Sequence, residues 1–270
     1  MGAGPHERAL AHVAARAAGP PIDPARRVVV HFHPERLAGG VPLLAALAKD
    51  GVYRSQFETG TSNGGLTAFP GGDRWRWESR MFGGAYDAAP ATERPKYGAL
   101  DLPGRLAPRF GSAYLRLAGH VLERATFCFP DSVYQPSTVG VAAAMELPGP
   151  GSLADPLDDY VEAQIHGPLR IDTDVEALVL DPCFRGTEVA ELAELLPCPV
   201  EWHDGYRVSV DVLREHPAYR GQDIVDLAVA LAVDGRLDAA VIGAAANSGR
   251  IDRQALKRVW HYVARFGSAR

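Results

Sequence analysis

Cysteine is scarce in this 270-residue chain: Cys128, Cys183 and Cys198 form no C-x-x-C pair, which argues against a disulfide framework or a thiolate zinc knuckle. Positive charge is not in excess either. With 28 Lys and Arg against 33 Asp and Glu, a formal net charge of −5, the chain has no general pull toward nucleic acid or anionic lipid, and no stable nucleic-acid partner is expected. Long apolar runs are missing as well. No stretch is long enough to cross a bilayer, so no membrane association is expected. Met1 to Pro21 scatters His6, Glu7, Arg8 and Arg16 through alanines where a signal peptide has a continuous apolar core. A reducing, bacterial-type cytoplasm is the expected location, with signal-less secretion compatible.

What is there is enough apolar material for a large core, 47% of residues, in one big domain or a domain with an appendage. Ala9 to Ala18 predicts a helix stopped by Gly19-Pro20-Pro21, and Val28-Val29-Val30-His31-Phe32-His33-Pro34 a strand. Val41 to Lys49 has helical spacing and ends at Asp50-Gly51; Val52 to Phe57 reads as a short strand. From Thr59 to Arg105 glycine, proline, tryptophan and arginine alternate without a period, which predicts long ordered loops. Within them, Arg74-Trp75-Arg76-Trp77 reads as an amphipathic loop docked on the core, with cation–π or phosphate contacts as the alternative. Strand-like runs follow at 112–117, 125–129, 161–165, 177–180, 200–203 and 206–212, and helical spacing at 223–233, 237–245 and 252–266. The expected organisation is an N-terminal helical segment (1–26), an α+β domain (27–216) and a helical C-terminal segment (217–270).

Two strands carry chemistry. Residues i and i+2 share a face, so His31 and His33 project together from the end of their strand. In the run Asp158 to Gly167, Glu162, Gln164 and His166 alternate with Val161, Ala163 and Ile165, which predicts one face in the core and one in a cleft. The loop Gly60-Thr61-Ser62-Asn63-Gly64-Gly65 is neither a P-loop nor G-x-G-x-x-G, yet its glycines permit an anion-binding backbone. Arg94 and Arg109 are pyrophosphate ligands or ion-paired surface residues.

The strand His31-Phe32, the helix ending at Gly51, Arg54, the element Phe110-Gly111-Ser112-Ala113-Tyr114 and the late strand Glu162, in that order, resemble the ADP-ribosyltransferase superfamily over residues 27 to 182. Strings such as His31-Phe32-His33-Pro34, Glu93 to Leu100, Val161 to Gly167 and Leu256 to His261 also resemble a large bacterial family of uncharacterised proteins, over nearly the whole chain. The first resemblance implies an α+β fold with a split, mostly antiparallel sheet and a helical C-terminal segment, and NAD-dependent ADP-ribosyl transfer or NAD glycohydrolysis of the effector or toxin kind. It implies that His31 positions a ribose with His33 beside it, and that Tyr97 or Tyr114 stacks on nicotinamide. Arg54, Thr61, Ser62 and Asn63 then hold the pyrophosphate or support the acid, and Glu162 stabilises the oxocarbenium-like ribose, with Gln164 and His166 toward an unspecified acceptor. NAD is the implied co-substrate. Thr61-Ser62-Asn63 departs from the Ser-Thr-Ser of many relatives, and Gln164 stands where an acid would give acid/base help.

Two other readings compete. His31-x-His33 suits a metal-dependent hydrolase, with His166, His203 and Asp204 or Asp181 completing the site. The aromatics Trp260, His261, Tyr262 and Phe266 of the tail suit a non-catalytic interaction module.

Overall fold

The computed structural model describes residues 2–60, 67–105 and 107–268. The principal elements are α1 (Pro5–Ala14), β1 (Val28–Phe32), α2 (Leu43–Asp50), α3 (Asp73–Met81), β2 (Lys96–Leu100), β3 (Ala113–Leu117), β4 (Ala125–Phe129), β5 (Thr138–Val141), β6 (Glu162–Ile165), β7 (Val175–Leu180), β8 (Val200–Trp202), α4 (Gln222–Leu231), α5 (Ala239–Asn247) and α6 (Arg253–Phe266). The fold is mixed α+β, with a large, mostly antiparallel sheet and a helical C-terminal segment. Two compact units interleave along the chain: residues 1–30, 51–107 and 116–176 form the first, and 31–50, 108–115 and 177–270 the second. Pro217, where the sequence suggests the helical tail to begin, lies inside the second unit.

In the first unit the strand order is β1-β2-β6-β4-β5, every neighbouring pair antiparallel. The register places Tyr97, Gln164 and Thr126 in one row across β2, β6 and β4, and Ala99, Glu162 and Cys128 in the next row of the same face. Helices α1 and α3 cover this face with Ala9, Val13, Trp77 and Met81, joined by Phe82, Tyr86 and Val139. Burial of that apolar area supplies the driving force, about 25 cal/mol per Å² removed from water. Gly98 of β2 cannot be anything larger, because a Cβ there would collide with the Val29 carbonyl of β1.

In the second unit β7 and β8 pair in parallel, Val179 opposite Glu201. Helix α6 is capped by Asp252, whose carboxylate accepts from Ala255 N at 2.8 Å, and buries Leu256, Val259, Trp260 and Val263 on one stripe. Gly111 meets the backbone of Phe32 so closely that no side chain fits.

Three local expectations fail for identifiable reasons. Val52 to Phe57 is not a strand: Val52 makes a single bridge to Arg170, and Ser55 then caps a helical turn over Gln56–Thr59 in a capping box with Glu58. Residues 73–81 are a helix rather than a loop. Its buried stripe is Arg74, Trp77, Glu78 and Met81, the i, i+3, i+4, i+7 spacing of a helix written half in charged residues, so hydropathy alone misses it. Tyr206 to Val212 divides into a strand at Arg207–Ser209 and a helix at Val210–Glu215 capped by Ser209.

Candidate functional site

Glu162 opens β6 and is 4% exposed, and every residue of that strand is buried. The polar face of β6 therefore lies beneath helices and not in an open cleft, and its polar groups satisfy one another. Glu162 Oε2 accepts from Ser132 Oγ at 2.9 Å, Oε1 accepts from Gln164 Nε2 at 3.0 Å, and Arg74 Nη1 stands 3.9 Å from Oε1. Burial, reinforced by the charge of Asp131, pushes the Glu162 pKa up to about 7, against the pull of Arg74, Ser132 and Gln164. Ser132 itself is fixed by the turn after β4, where Asp131 caps by accepting from Val133 N at 2.8 Å and receives the Tyr160 hydroxyl.

A directed chain of hydrogen bonds runs along the sheet face to this carboxylate. Thr126 Oγ1 donates to Gln164 Oε1 at 2.8 Å, so it must accept from His166 Nε2, 3.0 Å away, and the proton of a neutral imidazole sits on that nitrogen. Nδ1 is then the acceptor for the Tyr86 hydroxyl at 2.7 Å. Burial first, and the cations around it, depress the His166 pKa to about 3, which agrees with a neutral ring. The consequence reaches Gln164: with its carbonyl held by Thr126, its NH₂ is aimed at Glu162. Both ring nitrogens of His166 are engaged, which fixes the ring in place.

Helix α3 brings a second carboxylate. Glu78 accepts from Arg94 Nη1 at 2.6 Å and from the Tyr97 hydroxyl at 2.7 Å, and burial lifts its pKa to about 7. Arg94 also donates to the Tyr86 carbonyl at 2.9 Å and stacks over Phe57 at 4.2 Å. One turn earlier, Arg74 donates to Ser132 Oγ at 2.9 Å, and its guanidinium carbon lies 4.0 Å from the centre of the Tyr97 ring and 5.7 Å from that of Trp77. Burial alone would lower the Arg74 pKa, but Tyr97, Glu162, Glu78 and Asp131 together hold it above its ordinary value. Ser132 and Trp77 also line a surface depression of about 300 Å³ whose rim carries Asp73, Arg76 and Arg80.

Of the residues singled out from the sequence, the first unit holds Glu162, Gln164, Tyr97 and Arg54, and the first three meet around Glu162 while Arg54 is exposed. Thr61, Ser62 and Asn63 lie outside the described residues. His31, His33 and Tyr114 belong to the second unit. There His31 Nδ1 is 3.2 Å from the Gly111 carbonyl and its ring is 4.9 Å from Tyr114. His33 lies 3.5 Å from Glu35 and meets Trp260 edge-on. His203 is held by two backbone groups, Ser112 O at 2.7 Å and Gly205 N at 2.9 Å, and Asp181 accepts from the amides of Cys183 and Tyr206. Among the described residues no three His, Cys, Asp or Glu side chains come close enough to hold a metal ion. No helix among them is long and apolar enough to cross a membrane.

Nothing in the sequence joins Arg74, Glu78, Arg94 and Ser132 to Glu162 directly. The signal available for three of them was the helical spacing of Arg74 and Glu78 and an arginine, Arg94, just before a strand. A search of curated proteins finds no match to the chain. A family model does match, over residues 27–147 and 151–266, which include parts of both units and the residues of the Glu162 network. The chain therefore belongs to the family described as Protein of unknown function (DUF3626).

Proposed function

We propose that the chain is an enzyme that cleaves the nicotinamide–ribose bond of NAD, as an ADP-ribosyltransferase or an NAD glycohydrolase, with Glu162 at the centre of its site. The observation that carries this reading is the setting of Glu162: a carboxylate removed from water, oriented by Ser132 and Gln164, with Tyr97 one row away on the same sheet face. When the C–N bond breaks, its electron pair leaves with nicotinamide and positive charge grows on the ribose. A fixed carboxylate stabilises that charge best where water is excluded. The acceptor, or water, then bonds to the ribose carbon and releases its proton to solvent. Tyr97 is the tyrosine this reading assigns to the nicotinamide ring, since it shares a sheet face with Glu162.

Nicotinamide release from NAD by the wild-type chain and by Glu162→Ala tests the proposal. Release by the wild type, with at least a hundredfold loss in the variant while NAD still binds, supports it. Unchanged release in Glu162→Ala overturns it.

A further inference from the structure

Arg74 is the most unusual group in the Glu162 network. It is a planar cation, 4% exposed, stacked 4.0 Å from the centre of the Tyr97 ring, beside Trp77 and 3.9 Å from the carboxylate of Glu162. A pyridinium ring is also a planar cation, and it would seek the same two partners, an aromatic face and a carboxylate. We infer that the Tyr97–Trp77–Glu162 box is a binding site for a planar cationic ring, and that Arg74 occupies it from within as an autoinhibitory plug. The inference rests on the NAD reading for its natural ligand, the nicotinamide ring, and on geometry alone for the site itself.

Arg74 sits in the first turn of α3, and the side chain that anchors it, Ser132, together with Trp77 lines the surface depression. A swing of Arg74 toward that depression uncovers the face of Tyr97 and the Oε1 side of Glu162. Tyr97 would stay in place, because its hydroxyl is tied to Glu78, which Arg94 holds independently at 2.6 Å. The arriving ring replaces the departing guanidinium charge for charge, so the buried Glu162 keeps a cationic partner in both states. The free chain is then a low-affinity form, and whatever holds Arg74 outward activates it.

The test is binding of N1-methylnicotinamide, a pyridinium that cannot be hydrolysed like NAD, with uncharged nicotinamide as control. Titration calorimetry on wild type, Arg74→Met and Arg74→Lys gives the affinities, with thermal melts to establish folding. At least tenfold tighter binding of the pyridinium to Arg74→Met than to wild type, with no such gain for nicotinamide, is expected. Arg74→Lys, which keeps the charge beside Glu162 but has no plane to cover Tyr97, decides the matter if the methionine variant does not fold, and a gain of severalfold is expected there. Folded variants with no gain overturn the plug. Nicotinamide release from NAD by the same proteins separates the two ideas. Glu162-dependent release without a gain in pyridinium affinity removes the plug and leaves the NAD reading. A gain in affinity with no release by any variant keeps the cation site and removes the NAD chemistry.

Discussion

The amide of Gln164 points its nitrogen at Glu162, 3.0 Å away, because Thr126 holds its oxygen from the other side. A residue that the superfamily resemblance presents as a departure thus has a definite role here: it donates to the ionised form of Glu162 and favours it. Gln164→Glu works against that form twice, losing the donor and adding a like charge in the neighbouring row of the same sheet face. The Glu162 pKa is then expected to rise above about 7. A carbon-13 titration of labelled glutamate side chains checks this, and a downward shift would contradict it.

The buried ion pair of Glu78 and Arg94 predicts a stability cost without reference to any activity. Glu78→Ala leaves Arg94 and the Tyr97 hydroxyl without their common acceptor and removes an anion from beside Arg74. Breaking a buried pair from one side typically costs about 3–5 kcal/mol. Urea unfolding of the variant should show a loss of that order, and a loss under 1 kcal/mol would mean that the pair is not closed in solution.

His166 gives the protein a defined response to acid. Its folded pKa of about 3 is below the 6.5 of a free histidine, so the unfolded chain binds a proton first as pH falls, and stability is lost from about pH 6.5 downward. Each pKa unit corresponds to 1.36 kcal/mol. Between pH 6.5 and 5 the loss from this one group therefore approaches about 2 kcal/mol. Glu78 and Glu162 work the other way, since their raised pKa values make stability fall as pH climbs from about 4.5 to about 7. His166→Gln should remove only the histidine part, so its unfolding midpoint gains on wild type as pH is lowered. A difference between the two proteins that does not change with pH would contradict this.

Much of the β framework is legible in the sequence, and the reasons are local. Val28-Val29-Val30 is β-branched and wholly buried, and the five-residue strand at 125–129 falls where its composition places it. The C-terminal helices announce themselves by apolar spacing, and the Asp252 cap of α6 is visible in the chain. Glu162 stands out for its alternation with apolar neighbours. What is not legible is the lid over it. Arg74 and Glu78 bury charge on the inner face of α3, a choice that makes sense only once Glu162, Arg94 and Tyr97 are known to meet them. Lys96-Tyr97-Gly98-Ala99-Leu100 carries a glycine that reads as a break and is in fact required by the approach of β1.

That close approach is itself testable. Gly98→Ala places a methyl group into the Val29 carbonyl, where neither backbone can yield without losing ladder hydrogen bonds. A destabilisation of about 3 kcal/mol or more, or failure to accumulate as folded protein, is expected. A near-neutral melting temperature for Gly98→Ala would show that β1 and β2 are not paired in this register.

The proposed action of Glu162 as a carboxylate on NAD is read out by the pH dependence of kcat/KM for nicotinamide release, because that ratio reports groups in the free protein. With its pKa held near 7, Glu162 must lose its proton to work, so the ratio is predicted to rise through about pH 7 and level off above it, and to collapse across the whole range in Glu162→Gln. A rate that is independent of pH between 5 and 9, or that survives in Glu162→Gln, would contradict the account.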